Sequence, residues 1–264
     1  MLVIKNLEKT FFPGTINAKK ALRGIDLHLN PGDFVTIIGG NGAGKSTMLN
    51  AIAGVFPVDE GSIYIDGVDI THLPEYKRAK YIGRVFQDPM TGTAGTMEIQ
   101  ENLAIAARRG QRHRLGWGIK RQEKKRYKEI LSVLDLGLEE RLTAKVGLLS
   151  GGQRQALTLL MATLTQPKLL LLDEHTAALD PKTAAKVLEI TDMLIKENNL
   201  TALMVTHNMR DAIEHGNRLI MMNAGKIIYD VSGDEKKNLT VETLIAKFSE
   251  TSGEEFANDR ALLS

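Results

Sequence analysis

An α/β fold is predicted: an open sheet of buried strands, with additional antiparallel strands in the first third and a helical insertion in the middle. Three observations carry this. The apolar run Phe34 to Ile38 leads into Gly-Gly-Asn-Gly-Ala-Gly-Lys-Ser-Thr, residues Gly39 to Thr47, and then into a helical pattern from Met48 to Ala53. From about Pro89 no strand pattern intervenes, while Met97 to Ala107 and Arg121 to Leu136 carry apolar residues at helical spacing. After Ser150 strand and helix alternate again, and the continuous run Leu169 to Leu172 reads as a strand covered on both faces.

In order, Leu2 to Leu7 alternates apolar with polar and reads as a strand, broken by Phe11, Phe12, Pro13 and Gly14. Ala21 to Leu29 alternates again, and Pro31-Gly32 turns the chain into the buried run. Gly54 caps the helix that follows. Gly61 to Ile70 reads as a hairpin around Asp66-Gly67, a strong short-range hairpin signal. Gln153 to Leu164 is helical; Asp180, with Pro181 at the first helical position, opens a helix to about Asn198. Leu200 to Thr206 is a strand, Arg218 to Asp230 a hairpin turning at Ala224-Gly225, and Val241 to Phe248 a short helix before a loose tail.

Composition excludes several function classes. With 264 residues, 43% hydrophobic and 25% charged, the chain suits one large α/β domain or two small ones. There is no cysteine, so no disulfide framework, zinc–thiolate site or thiol chemistry. The net charge of +2 gives no argument for nucleic acid, and none is expected as a partner. No window approaches the ~20 apolar residues of a membrane span, and Met1-Leu-Val-Ile-Lys-Asn lacks a signal-peptide pattern. The basic run Arg108, Arg109, Arg112, His113, Arg114, Lys120, Arg121, Lys124, Lys125 and Arg126, with Trp117 inside it, suits an anionic surface. The plainer reading, a solvated loop and helix face, is preferred because Glu123 and Glu129 interleave.

Gly39, Gly44, Lys45 and Ser46 fit the P-loop spacing in the strand–loop–helix context that motif requires. Glycines let successive backbone N–H groups turn inward, and the helix beginning near Lys45 aims its free N–H groups and dipole at the same point. Lys45 is expected to reach the β/γ-phosphates of a nucleoside triphosphate, and the Ser46 hydroxyl to ligate Mg²⁺. Ser150-Gly151-Gly152-Gln153 is the second informative stretch. Ser at a cap with Gln three residues on is a capping box, and the two glycines leave that helix end open to an anion.

With Leu149 ahead and Arg154-Gln155 behind, the chain resembles the ATP-binding cassette ATPases, whose five-residue signature Leu149 to Gln153 match. The resemblance covers roughly residues 1 to 230, with motifs in the family's order. It implies a P-loop NTPase core with an antiparallel β subdomain and an inserted helical subdomain. The boundaries expected are 1–88 for the first part of the core with the β subdomain, and 89–164 for the helical subdomain with the signature. The second part of the core follows at 165–233, and a C-terminal helix and tail at 234–264. The resemblance further implies that two cassettes stack head to tail, each ATP held between one P-loop and the opposite signature helix. Ser150, Gly152 and Gln153 would then serve the partner's nucleotide, and Asn41, Gly42, Ala43, Gly44 and Thr47 would line the phosphate loop with Gly39, Lys45 and Ser46.

Leu169 to Glu174 looks like the Walker B element. Asp173, at the exit of a buried strand beside the P-loop, would hold Mg²⁺ mainly through water, and Glu174 would polarise the attacking water. His207, after the strand Leu200 to Thr206, looks like the switch histidine that contacts the γ-phosphate and Glu174. Gln87 is similar to the glutamine linking Mg²⁺ and the attacking water to the helical subdomain. Ala178-Leu179-Asp180 resembles the loop at the dimer seam. Phe11 aligns with the adenine-stacking aromatic, with Phe12 a rival. His175 departs from the family, which commonly has Pro there, and is expected to be a structural variant.

The function implied is that of the ATP-hydrolysing subunit of a transporter: it dimerises around two Mg-ATP and drives solute transport through separate integral membrane permease subunits. A lone cassette favours import, which also brings in a solute-binding protein, and places the chain at the cytoplasmic face of the cell membrane. The permease is expected to dock between Gln87 and about Ile99, where Asp88 to Met97 is rich in small residues. The solute expected is an amino acid or another small polar molecule. The alternative is a soluble ATPase of the same type acting in assembly or repair. One P-loop per chain and the absence of sustained heptads count against the translation and DNA-repair types.

Overall fold

The computed structural model describes residues 1–111 and 118–252. β1 (Leu2–Phe11) and β2 (Lys19–Leu29) pair antiparallel, and β3 (Phe34–Ile38) runs directly into the glycine-rich loop. α1 (Lys45–Ala53) follows, then the hairpin β4 (Glu60–Ile65) and β5 (Val68–Asp69), turning through Asp66 (φ 48°) and Gly67 (φ 78°). These positive angles are what an Asp-Gly turn supplies. A short α2 (Glu75–Arg78) precedes β6 (Ile82–Val85).

The helical stretch comprises α3 (Ile99–Ala107) and α4 (Arg121–Ser132), followed after short helical turns by α5 (Gly151–Thr163). Alternation then resumes with β7 (Leu169–Asp173), α6 (Pro181–Glu197), β8 (Thr201–Val205) and α7 (Met209–Glu214). β9 (Arg218–Asn223) and β10 (Lys226–Ser232) form the second hairpin, and α8 (Gly233–Lys237) and α9 (Val241–Ser252) end the described chain.

The strands form two sheets. One is antiparallel, in the order β2-β1-β4-β5; the other runs β10-β9-β3-β8-β7-β6, parallel except for β10. Strand alternation divides β7 and β8 between two cores. Leu169, Leu171, Leu203 and Val205 face α1 and the antiparallel sheet, whereas Leu170, Leu172, Ala202 and Met204 face α3 to α6. Such burial is why these runs are apolar throughout. α7 and α9 cover β9 through Met209, Leu244 and Phe248. The sheets are stitched together where the Arg23 N–H donates to Gly225 O (2.9 Å) and Arg218 Nη1 to His28 O (2.7 Å).

Several boundaries differ from expectation. β1 continues through Phe11, because Phe12, at φ 52°, is the residue that breaks it. The helix expected to reach Leu136 stops at Ser132; Asp135 and Gly137 are both left-handed, at φ 53° and 67°. Arg112, His113, Arg114 and Trp117 of the basic run, and the tail from 253, lie outside the described residues.

Arg78 fastens the end of α1. Its Nη1 donates to Ala51 O and Ile52 O (2.8 Å each), Nη2 to Thr71 O (2.8 Å) and Nε to Leu73 O (2.7 Å). A buried cation here gives the last carbonyls of the helix a donor and complements its negative end. Arg78→Ala is expected to lower the unfolding free energy by on the order of 3 kcal/mol in urea titration, since several buried carbonyls lose their donors.

Candidate functional site

The loop between β3 and α1 can close so tightly only with glycine at two points. Gly39, at φ 152°, would bring a Cβ within 2.2 Å of Met222 O, and Gly44, at φ 101°, within 2.7 Å of Ala21 O. The loop's carbonyls also hold the lysine: Lys45 Nζ donates to Gly39 O (2.7 Å) and Gly40 O (3.2 Å). Above it lies a cavity of about 350 Å³ lined by Asn41, Gly42, Ala43, Gly44, Lys45, Ser46 and Thr47 of the loop. Phe11, Lys19, Ala21, Glu174 and His207 complete its lining.

The acidic residues arrive from β7. Ser46 Oγ donates to Asp173 Oδ1 across 3.2 Å, and an Arg84 amino group lies 3.9 Å from Asp173 Oδ2. Burial raises the Asp173 carboxyl above its ordinary value, and Glu174 adds to this; Ser46, Arg84 and Lys45 oppose it. Burial lowers the Lys45 ammonium, against the pull of Glu174 and Asp173. Glu174 sits at φ 47°, a left-handed angle that a side-chain-bearing residue rarely holds, fixed by its N–H bond to Val205 O (3.0 Å). His207 Nε2 donates to Glu174 Oε1 at 2.6 Å. Burial would raise Glu174, but the His207 bond and charge, with Lys45, outweigh it and hold the carboxyl below its ordinary value. Glu174 therefore stays ionised at neutral pH and available as an acceptor.

Phe11, not Phe12, faces the cavity. Its ring meets Phe56 edge-on at 5.2 Å, with Lys9 Nζ 5.9 Å from its centroid; Phe12 points to solvent. Gln87 is exposed just beyond β6 and does not line this cavity. Ser150, Gly152 and Gln153 are also absent from its wall and lie at the start of α5. There Ser150 Oγ accepts the Gln153 N–H and Gln153 Oε1 accepts the Ser150 N–H, both at 3.3 Å, closing the capping box. Gly152 packs so closely on α6 that a Cβ would fall 2.1 Å from Thr183 Cγ2.

Three residues near the site carry no motif of their own. Lys19 and Ala21 stand two apart on β2 and share a face, so alternation could have placed them together once the strand was known to pass the loop. Arg84 left no such signal, since its approach to Asp173 depends on β6 lying beside β7.

His175, beside Glu174, points away from the cavity. It is buried, and its Nε2 donates across 3.0 Å to Thr191 Oγ1, whose own proton goes to Val187 O (2.8 Å). Burial, with His215 nearby, lowers its pKa to about 4, so the ring is neutral at physiological pH. His175→Ala is accordingly expected to keep turnover within a few-fold of the parent while lowering stability by about 1–3 kcal/mol. A loss of turnover matching that of His207→Ala would overturn this.

A hydroxyl and a carboxylate oxygen converging beside a phosphate loop suit Mg²⁺, which takes one or two protein oxygens and completes its shell with phosphate and water. Among the described residues no group of three or more His, Asp or Glu could hold a metal by itself. The residues present fit Mg²⁺ carried in with a nucleotide.

Residues 22–177 match the model of the ABC transporter family. The chain belongs to that family. It is 46% identical over 248 residues to the tyrosine transport ATP-binding protein of Clostridioides difficile, spanning 94% of this chain and 98% of that protein. It is 34% identical to the spermidine/putrescine import ATP-binding protein of Haemophilus influenzae, covering 94% of this chain but 62% of that protein's length. Among solved structures, a dimeric ATP-binding cassette in a post-hydrolysis state, bound to ADP and Pi, superposes with a TM-score of 0.75 at 31% identity, covering 88% of this chain and 98% of that one. The fold is thus that of an ABC cassette, and the chain is an ATPase subunit of an ABC transporter. No helix among the described residues is long and apolar enough to cross a membrane.

Proposed function

We propose that this cassette powers the import of an amino acid, tyrosine or one chemically close to it, through separate membrane permease subunits. The observation that carries the solute class is the end-to-end likeness to the tyrosine transport protein, which is far stronger than the likeness to the polyamine or sulfate relatives. In this reading the chain works at the cytoplasmic face of the membrane, with a second copy and a solute-binding protein. Residues 1–88 and 165–233 act as the core, 89–164 as the helical subdomain, and 234–264 as an appendage.

The roles follow from position. Backbone N–H groups from Asn41 to Thr47 and the Lys45 ammonium hold the phosphates, and the Phe11 face takes the adenine. Ser46 and Asp173 would hold Mg²⁺, which would neutralise phosphate charge. Glu174, ionised, orients the attacking water and accepts its proton, while His207 fixes the carboxylate and reaches toward the γ-phosphate. Ser150, Gly152 and Gln153 close over the nucleotide of the second copy, and Gln87 would be a further residue to hold the metal.

The docking segment Asp88 to Met97 is bonded to the residues just ahead of the signature. The Gly147 N–H donates to Gly95 O (2.8 Å), the Val146 N–H to Met97 O (3.0 Å), and Arg154 binds Gly147 O (3.0 Å) and touches Met90 sulfur. Met90 and Leu148 are left exposed on this face. A permease pressing here would move the start of α5 with it. Uptake of radiolabelled tyrosine in cells lacking the chain, complemented by the parent or by Lys45→Ala, tests the reading. Only the parent should restore accumulation; unchanged tyrosine uptake without the chain would sink the solute assignment.

A further inference from the structure

A second cavity, of about 310 Å³, lies where the helical stretch meets the core, away from the nucleotide site. Lys80 follows α2, Arg109 follows α3 and Arg126 lies on α4; these three, with Gln111, Tyr127 and Thr165, contribute its polar wall. The cavity gathers three cations, and among the described residues none of them forms an ion pair with a carboxylate.

Arg109 is the telling member. Its guanidinium is tethered through Nη2 to Ala162 O (3.0 Å) and Thr165 Oγ1 (2.7 Å), and its buried Nε–H has no acceptor among the described residues. Burial lowers its pKa, and among the described residues no neighbouring carboxylate offsets the effect. Arg78 is buried and Arg84 and Arg218 part-buried, but each has an acidic neighbour that favours its charge. A desolvated cation without a counter-charge is costly, and the cost falls when an anion joins it. Thr165, having accepted from Arg109, keeps its own proton to donate. Lys80 Nζ lies 4.5 Å from the centroid of the Tyr81 ring, which positions the ammonium at the rim without neutralising it.

We propose that this cavity is a phosphate-binding site. Three cations around one small space match a group carrying up to two charges better than a single carboxylate, and guanidinium forks match phosphate oxygens. The phosphate could belong to a free phosphate compound or to the headgroup of an anionic lipid, and the basic run around α4 would support either by long-range attraction.

The test begins from Lys45→Ala, which weakens phosphate binding at the nucleotide loop. Pyrophosphate is titrated into that protein by calorimetry, and again with Lys80→Ala and Arg126→Ala added, both exposed positions whose folding is checked by circular dichroism. Flotation with phosphatidylcholine vesicles, with and without phosphatidylglycerol, is run on the same pair. Saturable pyrophosphate binding weakened about tenfold or more by the two substitutions assigns a free phosphate ligand. Flotation that needs phosphatidylglycerol and is lost with the substitutions assigns a lipid headgroup. Failure in both arms, or binding that ignores the substitutions, overturns the site.

Discussion

Glu174→Gln is expected to cut ATP turnover by about 10²- to 10³-fold while leaving nucleotide affinity near that of the parent, because the change removes a proton acceptor and little else. The amide has the shape of the carboxylate and its oxygen can still accept from His207 Nε2, which lies 2.6 Å away. The backbone at φ 47° is held by the Val205 carbonyl and β7, not by the side chain. What is lost is the charge that His207 and Lys45 keep in place. With binding intact and hydrolysis blocked, ATP should accumulate a dimer visible by size-exclusion chromatography, and ADP should not. Parent-like turnover in Glu174→Gln would remove the residue from its role. Slow turnover without a dimer would leave the acceptor in place but detach hydrolysis from pairing.

What could be read from the sequence was local. The glycine loop, the buried run Leu169 to Leu172, the Asp66-Gly67 and Ala224-Gly225 turns and the Ser150 cap each declare themselves within a few residues, and each stands in the structure where the pattern put it. α2, α7 and α8 did not declare themselves, since none is longer than six residues and so short a span shows no helical period. α8 shows the consequence. Lys236 reads as one more surface charge, yet it is buried, donating to Ile213 O, His215 O and Gly216 O at 2.6–3.0 Å around the end of α7.

Sheet order was the other silence. That β8 lies between β3 and β7, and β6 beside β7, is a tertiary fact; it brings His207 to Glu174 and Arg84 to Asp173 from positions far apart in the chain. Gln87 stayed out of the cavity for a related reason. It follows the end of β6, and a strand end does not by itself specify whether the chain leaves toward the loop or away from it.

The start of α5 poses the sharper mechanistic question, and Ser150→Arg addresses it. Ser150 is exposed, its hydroxyl serves only the Gln153 N–H of the capping box, and it forms no part of the wall of the nucleotide cavity in its own chain. Arginine there removes one cap, worth about 1 kcal/mol, and sets a long cation at the helix end. Folding and nucleotide binding by the single chain should survive. Turnover should fall by about 10²-fold or more, because the same side chain would obstruct the phosphates of a second copy docked against it. Gly152→Ala is the poorer probe, since its Cβ would collide with Thr183 and any loss could be blamed on the packing of α5 against α6. Ser150, by contrast, is exposed. If Ser150→Arg hydrolyses ATP at the parent rate, this helix end is not half of any nucleotide site. If it binds ATP but neither pairs nor turns over, the cavity above the loop is incomplete in one chain and is finished by another.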